Sequence, residues 1–403
     1  MSNKRKPSKP VRTKKTESRA ILWNSNSPWT RTGYGAQTAQ AITRLQAAGH
    51  KMAVSSNYGL EGTTLDWHGI RQYPRGFEMH SNDVVPANFQ AWKHENTSLD
   101  PLLITLYDVY IFKGTQWYDV DQIASWVPID HAPVPPDVAA WLRRPNVTPI
   151  AMSRFGEAIL NHADIDCLYV PHAIEDIFKP TESINAGGKN LTGRAFMGIP
   201  EDRFVFGMVS ANKGAYPPRK SFPEAFLAFS MFAKHHSDAV LYVHTEDRGG
   251  MGGINLRELA TACNIPDDQI VFVDQYVFRS GIGNDLLAAI YTAMDTLLIP
   301  SMGEGFGVPQ IEAQACGTPV ICTHASASPE LLGDGWLVEG QPFWDSPQRA
   351  WMTTPGIPSI IEAMEAAYAR GRGRSQMAQD FVAQYGADFV FDNYWLPAME
   401  ALR

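Results

Sequence analysis

The chain has 403 residues, of which 44% are hydrophobic and 19% are charged, the composition and length of an ordinary globular protein of about two domains. A core of this size needs no disulfide framework, and the four cysteines show no zinc-ligand spacing, which indicates reduced thiols in a reducing compartment. The sequence has no run of about 20 apolar residues and no apolar segment after its basic N-terminus. We therefore predict a cytoplasmic protein without a transmembrane segment.

The net charge of −8 conceals a basic N-terminus. Residues 1–19 carry eight Lys or Arg and one Glu, a charge of +7, whereas the rest of the chain carries 26 basic and 41 acidic residues, a charge of −15. Because residues 1–19 have almost no apolar side chain to bury, we predict a disordered tail. The tail either only keeps the chain solvated or docks an acidic partner or nucleic acid. The acidic remainder argues against a broad surface for nucleic acid, which needs clustered positive charge.

Short apolar strands alternate with helices in two successive blocks of the chain. The first block begins with a strand at residues 20–24, a glycine-containing loop at 25–35, a helix at 36–48 and a strand at 51–55, the order of a βαβ unit. Alternation of this kind predicts a parallel sheet with helices on both faces. Further strands of this block are predicted at residues 102–107, 123–129, 148–152 and 167–170.

A stretch rich in Gly, Ser and Asn, residues 179–191, has little to bury and predicts the boundary between two domains. The second block resumes the alternation and is followed by a Pro- and Trp-containing loop at residues 341–358. Its strands are predicted at residues 204–210, 239–244, 270–273, 296–300 and 319–323.

We thus predict an α/β protein with an N-terminal domain at residues 20–185, a C-terminal domain at 192–388 and an aromatic-rich closing segment at 389–403. The ligand crevices of such domains lie at the carboxyl ends of their strands, so the cleft between the domains is the predicted site.

The most informative stretch is residues 299–322, IPSMGEGFGVPQIEAQACGTPVIC. A strand ends in a glycine-containing loop, and a helix begins at Pro309, where a missing amide costs nothing, and ends at Gly317. Amides at the positive end of this helix suit a phosphate or a ring of sugar hydroxyls. The amides concerned belong to Gly305, Phe306, Gly307 and Val308.

Two carboxylates of this stretch stand eight residues apart. Glu304 lies on the loop, where it can accept hydrogen bonds from sugar hydroxyls, and Glu312 lies in the first helical turn, where it can accept them from a ribose. Each one alone could be a solvated loop carboxylate or a favourable charge at a helix start. The glycines, the proline and the GTPVI segment around them favour a sugar-nucleotide site.

Residues 300–321, PSMGEGFGVPQIEAQACGTPVI, resemble the donor-site signature of retaining GT-B glycosyltransferases of the family 4 type, an E-x7-E inside a P-S-x-x-E-G-F/S-G…E-A…G-x-P-V pattern. Residues 326–338, SASPELLGDGWLV, resemble its continuation. The resemblance implies two Rossmann-like parallel-sheet domains facing across a cleft, with Glu304 at the donor sugar and Glu312 at the donor ribose. It also implies that the final helix, residues 389–403, crosses back to the N-terminal domain.

A second site is predicted in residues 206–221, FGMVSANKGAYPPRKS. Arg219 and Lys220 stand just before a helix for which Ser221 is the predicted N-cap, and two cations beside free amides can hold a diphosphate. The resemblance implies that an arginine and a lysine of this loop neutralise the leaving diphosphate, and that Lys220 is that lysine.

The position of the arginine is open. In the family it stands nearer the strand end, where this chain has Asn212 and Lys213. Either Arg219 or Lys213 therefore fills the role, and we favour Arg219.

A third site is predicted in residues 127–136, VPIDHAPVPP, where a strand ends in a proline-rich loop. Asp130 and His131 follow the strand and would face the cleft. The resemblance places His131 near the sugar and the acceptor, and the alternative is a pair that only caps a turn. Asp108, after the strand LLITLY, is a similarly placed candidate.

The loop at residues 29–35 matches the N-terminal glycine loop of the family, whose amides approach the donor phosphates and the acceptor. Gly33 and Gly35 would permit such an approach. The family commonly has a double glycine, whereas this chain has Gly-Tyr-Gly.

The resemblance implies transfer of a hexose from a UDP- or GDP-sugar to an acceptor hydroxyl with retention of configuration. His131, Arg219, Lys220 and Glu304 are the candidate catalytic residues, and fixed cations and amides would stabilise the diphosphate. No Asp-x-Asp motif stands where a GT-A enzyme would need one, so no metal or other cofactor is expected. The acceptor could be a protein, a glycan, a lipid or a nucleic acid. A nucleotide-sugar 2-epimerase of the same fold and a non-catalytic sugar-nucleotide or glycan binder are the alternative functions.

Overall fold

The computed structural model describes residues 17–186, 188–214 and 216–403. Within these residues the first sheet has eight strands in the order β3-β4-β2-β1-β5-β6-β7-β8, all parallel except the β3–β4 pair. The strands are β1 Arg19–Asn26, β2 Lys51–Tyr58, β3 Leu65–Trp67, β4 Ile70–Tyr73, β5 Asp100–Leu106, β6 Ile123–Val127, β7 Val147–Ala151 and β8 Leu168–Tyr169. Its α-helices are α1 Gly33–Ala47, α2 Val85–Glu95, α3 Pro136–Leu142 and α4 Arg154–His162. The central strand β1 is buried along its whole length, since it pairs on both edges and is covered on both faces.

The boundary stretch at residues 179–191 contains a hairpin that the sequence analysis did not predict. Strands β9, Ser183–Ala186, and β10, Lys189–Thr192, pair antiparallel, and helix α5, Gly193–Met197, follows directly. The turn forms because Gly188 adopts a φ of 81° and its amide donates to Oδ1 of Asn185 at 3.1 Å.

The second sheet is entirely parallel, with the order β13-β12-β11-β14-β15-β16 among the described residues. Its strands are β11 Phe204–Val209, β12 Ala239–His244, β13 Ile270–Phe272, β14 Thr296–Ile299, β15 Val320–Thr323 and β16 Gly335–Val338. The helices between them are α6 Phe222–Ala233, α7 Leu256–Ala262, α8 Gln275–Ser280, α9 Asn284–Ala293 and α10 Val308–Ala315. Ser221 precedes α6 as predicted, but its φ of 52° is left-handed and its side chain makes no capping hydrogen bond. Ser221 is therefore the N-cap residue as predicted, but it makes no capping bond, which needs an extended backbone.

The prediction of a loop at residues 341–358 was wrong. It forms an antiparallel hairpin, β17 Gly340–Asp345 and β18 Ala350–Pro355, after which come helices α11 Ile357–Arg370 and α12 Gln376–Val382. Asp345, Ala350 and Met352 are buried on one face of the hairpin. Trp344 and Trp351 form a cross-strand pair on the other face, with ring centroids 5.0 Å apart. Cross-strand aromatic pairs stabilise a hairpin, and this pairing outweighs the loop tendency of the prolines.

The closing segment packs on the first sheet. It consists of α13, Ala387–Val390, a π-helical turn at Phe391–Trp395 and α14, Leu396–Ala401. The Trp395 side chain is buried, and its ring centroid lies 5.6 Å from that of Trp23 and 5.0 Å from that of Trp126.

The two chain crossings between the domains lie side by side. The amide of Ile174, on the way to the second domain, donates to the carbonyl of Tyr385 at 2.9 Å. The amide of Ala387, on the way back, donates to the carbonyl of Ile174 at 2.9 Å.

Arg19, predicted as the last residue of a disordered tail, is instead the first residue of β1 and is 6% exposed. Its guanidinium donates to the carbonyl of Leu402 at 2.8 Å, to Oε1 of Gln122 at 2.6 Å and to the carbonyl of Pro101 at 3.2 Å. These acceptors hold the buried guanidinium in one position. They are distant in the chain, so the sequence pattern could not reveal them. The predicted tail otherwise falls largely on residues 1–16, which lie outside the described residues.

In the part of the chain that the structure describes, no helix is both long and apolar enough to span a bilayer. All four cysteines lie in that part and are free thiols. Cys316 and Cys322 are fully buried, and burial raises the pKa of each thiol to about 12.

We predict that Arg19→Ala lowers the free energy of unfolding by about 1.5–3 kcal/mol, because the hydrogen bonds from a charged group to three acceptors are lost. Urea denaturation measures the change. Arg75→Ala is the matched control, since Arg75 pairs with a Glu61 side chain that is 73% exposed. The control should change stability by less than about 0.5 kcal/mol. Equal effects of the two substitutions would contradict the anchoring role of Arg19.

Candidate active site

The candidate site lies where the carboxyl ends of β5 and β6 face the starts of α6 and α10. The carboxyl ends of parallel strands are where ligands bind in open α/β sheets. The charged side chains that meet there, called the charge cluster below, are Asp108, Asp130, His131, Arg219, Lys220 and Glu304.

Glu304 is the most enclosed carboxylate of the cluster, at 7% exposure. It forms an ion pair with Nζ of Lys220, and Nη1 of Arg219 lies 3.4 Å from its Oε2. Burial alone would raise the pKa of Glu304, but Lys220 and Arg219 outweigh it and lower that pKa. Glu304, predicted to contact the sugar, therefore forms one buried group with Arg219 and Lys220, which were predicted to hold the diphosphate.

Backbone contacts fix the positions of this group. The amide of Glu304 donates to Oγ of Ser326 at 2.7 Å, and Nη1 of Arg219 donates to the carbonyl of Gly303 at 2.6 Å. Burial lowers the pKa of Lys220, although the charge of Glu304 opposes this effect. Burial would also lower the pKa of Arg219, but the charges of Glu304, Asp130 and Asp108 outweigh it and raise that pKa.

Arg219 also reaches the first domain, since its Nη1 lies 3.5 Å from Oδ2 of Asp130. Asp130 in turn contacts His131, with 2.6 Å between Oδ1 and Nδ1. Burial would raise the pKa of Asp130, but the hydrogen bond from His131 and the charge of Arg219 lower it. Asp130 thus links the two domains as a carboxylate.

Both ring nitrogens of His131 face carboxylates. Nε2 lies 3.1 Å from Oδ2 of Asp345 on the hairpin β17–β18, and the His131 residue is 6% exposed. In this arrangement neither nitrogen is left for a substrate, and a catalytic role of His131 stays a prediction. Sequence reasoning missed Asp345 because its segment was interpreted as a loop. The turn residues Ser346 and Pro347 between two aromatic stretches were the available signal for a hairpin.

Asp108 follows β5 at the edge of the cluster. The Tyr34 hydroxyl donates to its Oδ2 at 3.4 Å. Burial and the nearby charge of Asp130 raise the pKa of Asp108 to about 6. Tyr34, the residue between the two predicted glycines, was also missed, because the loop was interpreted through its backbone alone.

Two glycines of the signature loop touch the other domain. A Cβ on Gly303 would lie 2.6 Å from the carbonyl oxygen of Asp130, and one on Gly305 would lie 2.3 Å from Cβ of Pro128. Gly307 adopts a φ of 123°, which favours glycine. A side chain on Gly303 or Gly305 would therefore prevent the contact between the domains. This is a reason for glycine at both positions that does not depend on a ligand.

The Phe306 side chain, predicted at the donor, lies in the interior. It is 3% exposed, and its ring centroid is 5.3 Å from that of His172 and 5.7 Å from that of Tyr385. Only its backbone can face a ligand. No residue of the described ranges accepts a hydrogen bond from the amides of Gly305, Phe306 or Gly307, and α10 begins at Val308.

Gly35 lies at the start of α1, and its predicted approach to the donor stays a prediction. Its amide donates to Oγ1 of Thr32, the N-cap of α1, at 3.0 Å. A Cβ at this position would lie 2.2 Å from Oγ1 of Thr30. Gly35 thus serves the start of α1, whereas Gly33 is exposed with open space around it.

Asn212 is a structural residue. It is 3% exposed, its Nδ2 donates to the carbonyls of Glu246 and Ile254 at 2.9 and 2.7 Å, and its Oδ1 accepts from the amide of Ile254 at 3.0 Å. Lys213 is exposed and pairs with no carboxylate in the described part of the chain. Of the two candidate partners for a diphosphate, Arg219 is the one in the charge cluster.

Glu312 is the fifth residue of α10 rather than a residue of its first turn. Its Oε2 accepts a hydrogen bond from the Tyr291 hydroxyl at 2.9 Å. Burial raises the pKa of Glu312 to about 7, against the lowering effect of Tyr291. Tyr291 lies on α9, and nothing in the sequence pattern marked it.

In the described ranges, no three His, Cys, Asp or Glu side chains are placed to hold a metal ion together.

Comparison with known proteins identifies the segment that carries Arg219, Lys220 and Glu304 of the charge cluster. Residues 214–347 match the model of the glycosyl transferases group 1. This segment belongs to the group 1 glycosyltransferases. A D-inositol 3-phosphate glycosyltransferase of Mycolicibacterium smegmatis is 28% identical over 241 residues, 58% of this chain and 49% of that protein. One of Mycolicibacterium gilvum is 30% identical over 238 residues, 58% of this chain and 48% of that protein. The chain thus spans about half the length of the curated relatives that it matches.

Solved structures extend the similarity of fold to both domains of the chain. A sucrose-phosphate synthase from Thermosynechococcus elongatus has a TM-score of 0.71 at 18% identity, over 95% of this chain and 99% of that one. Anabaena HepE, solved in complex with UDP, has a TM-score of 0.63 at 14% identity, over 94% of this chain and 99% of that one. The fold is GT-B, two Rossmann-like domains, as the sequence predicts.

We predict that Tyr291→Phe raises the pKa of Glu312 further, because it removes the hydroxyl that donates to a buried carboxylate. Carboxyl 13C NMR over a pH series measures this, with Glu312→Gln assigning the resonance. Tyr368→Phe is the control, since the Tyr368 hydroxyl donates to Asp238 instead. An unchanged Glu312 titration in Tyr291→Phe would contradict the assigned contact.

Proposed function

We propose that the chain is a metal-independent, retaining hexosyltransferase that takes its sugar from a nucleotide diphosphate. The observation that carries the proposal is the meeting of Arg219, Lys220 and Glu304 at the boundary between two Rossmann-like domains. Breaking the anomeric C–O bond leaves a diphosphate with growing negative charge. Cations already fixed in place stabilise that charge without reorganisation, which is the strongest form of electrostatic catalysis.

In this proposal Glu304 has two successive partners. Without donor it neutralises Lys220 and Arg219 and holds both in order. The donor diphosphate then takes over the two cations and the amides of Gly305 and Gly307, and Glu304 accepts hydrogen bonds from the sugar hydroxyls. Carboxylate oxygens can accept from neighbouring hydroxyls at once, which suits this exchange.

Glu312 would accept hydrogen bonds from the donor ribose. Its carboxylate is positioned by Tyr291. Because its pKa is about 7, the fraction of ionised Glu312 falls as the pH drops below neutrality, and donor affinity should fall with it. UDP is the first nucleotide to test, since the structural neighbour HepE was solved with UDP. GDP is the alternative.

The reaction is tested by incubating the chain with UDP- and GDP-hexoses and a panel of hydroxyl-bearing acceptors, with mass spectrometry and NMR of the anomeric centre. Acceptor-dependent transfer with retained configuration supports the proposal. Conversion of the nucleotide sugar without any acceptor would indicate a 2-epimerase, and binding without turnover across the panel would indicate a sugar-nucleotide binder.

We predict that Glu312→Ala and Lys220→Ala each weaken UDP binding roughly tenfold or more, because each removes a charge-assisted hydrogen bond. Titration calorimetry with UDP measures the affinity. Lys213→Ala is the matched control, since it removes an exposed lysine of the same loop and should leave the affinity unchanged. If both test variants bind UDP as tightly as the control, the assignment of the donor site is wrong.

We also predict that turnover persists in excess EDTA, because side-chain cations and amides supply the positive charge. An assay compares initial rates before and after chelation. Loss of nearly all turnover, restored by Mg²⁺ or Mn²⁺, would contradict metal independence.

A further inference from the structure

The hairpin β17–β18 belongs to the second domain but is bonded to the first. The amide of Ala132 donates to the carbonyl of Trp351 at 3.1 Å, and the amide of Trp351 donates back to the carbonyl of Ala132 at 2.8 Å. The amide of Thr353 donates to the carbonyl of Met302 in the signature loop at 3.0 Å. Strand β18 is therefore fixed to both walls of the candidate site, next to His131.

The protonation state of His131 decides whether its two contacts can coexist. A neutral imidazole has one N–H and one lone pair, so only one of two flanking carboxylates can receive a hydrogen bond from it. Nδ1 and Nε2 of His131 lie at hydrogen-bond distance from Asp130 and Asp345 at the same time. Both contacts therefore require the imidazolium, in a place where His131 and Asp345 are each 6% exposed and water cannot replace a lost partner.

The two carboxylates differ in what else they contact. Asp130 also faces Arg219, at 3.5 Å. Oδ1 of Asp345 is buried and has no hydrogen-bond partner among the described residues. When His131 loses a proton, Asp130 keeps the shorter hydrogen bond and a second cation, so the contact that is lost is the one to Asp345.

We propose that Asp345 is a positioning residue: with protonated His131 it forms a latch that holds the hairpin β17–β18 on the first domain and Asp130 against Arg219. The latch consists of His131 and Asp345 alone. It acts on the candidate site through Asp130 and needs no contact with a substrate. Its existence does not depend on the proposed reaction.

The direction of the pH dependence follows from the groups around His131. Asp130 and Asp345 face it directly, and Arg219 lies behind Asp130 with Glu304 and Asp108 nearby. Burial alone would lower the pKa of His131, but the hydrogen bonds to Asp130 and Asp345 outweigh it and raise that pKa. The latch is therefore complete below the ordinary histidine pKa of about 6.5. It is lost as the pH rises through the raised pKa.

The first measurement is the titration of the His131 ring in the full chain, by long-range ¹H–¹⁵N NMR of the imidazole nitrogens. We expect both nitrogens to stay protonated beyond the range of an ordinary histidine. Asp345→Asn keeps the shape of the side chain and removes its charge, and it should lower the titration midpoint of His131 by about one pH unit or more. Arg349→Gln is the matched control, because Arg349 of the same hairpin pairs with Asp137 in the first domain, with both side chains more than half exposed. The control should leave the midpoint in place.

The second measurement is hydrogen exchange at the amides of Ala132 and Trp351, corrected for intrinsic exchange rates. Protection in the native chain should fall at least tenfold as the pH rises through the His131 midpoint. In Asp345→Asn, protection of these amides should be as low at every pH as it is in the native chain above the His131 midpoint. In His131→Gln, their protection should not depend on pH.

Each outcome decides the proposal. An Asp345→Asn midpoint equal to that of the native chain, or native protection that is independent of the His131 titration, overturns the latch. If Asp345→Asn does not fold, as judged by circular dichroism, the titration of the native chain and the His131→Gln arm still decide it. Neither measurement uses a substrate, so a failure here is distinct from a failure of the proposed hexosyl transfer.

Discussion

Glu304 holds a negative charge where water has little access, and the rest of the candidate site is arranged around that constraint. A buried carboxylate is stable only when donors or cations receive it. Here the two cations come from one short segment before α6, and Ser326 fixes the backbone of Glu304 from another. The same pairing keeps the two cations from extending into solvent, so both are held in fixed positions.

Charges of alternating sign continue from this centre into the first domain. Arg219 lies between Glu304 and Asp130, and His131 lies between Asp130 and Asp345. When His131 is protonated, each internal member of the series has an opposite charge on both sides. Because the members come from both domains, a shift of one domain against the other changes several of these contacts together. The glycines of the signature loop reinforce the coupling, since they allow the two backbones to touch.

Local patterns in the sequence predict the features that arise from neighbouring residues. The alternation of apolar strands and helices predicts both parallel sheets, and the spacing of Glu304 and Glu312 marks the loop and helix that carry them. The partners of these residues could not be predicted, because they are distant in the chain and set by packing. Tyr291 reaches Glu312 from another helix, and Asp345 reaches His131 from another domain.

The burial of individual side chains could not be predicted from the sequence either. Phe306 occupies a position that suggests contact with a ligand, yet the interior between the domains is a better place for an aromatic ring. Arg19 stands at the end of a basic run and yet is buried by acceptors from three other segments. In both cases the deciding contacts lie far away along the chain.

The return of the chain to its first domain has a consequence for biosynthesis. Trp395 completes the aromatic packing around Trp23 and Trp126, and the carbonyl of Leu402 receives the guanidinium of Arg19. A ribosome makes these last residues only after the entire second domain has been translated, and chains fold from the N-terminus during synthesis. The first domain therefore cannot close its core until residues 395–402 have been synthesised. Until then Trp23 and Trp126 lack the aromatic ring that packs against both of them.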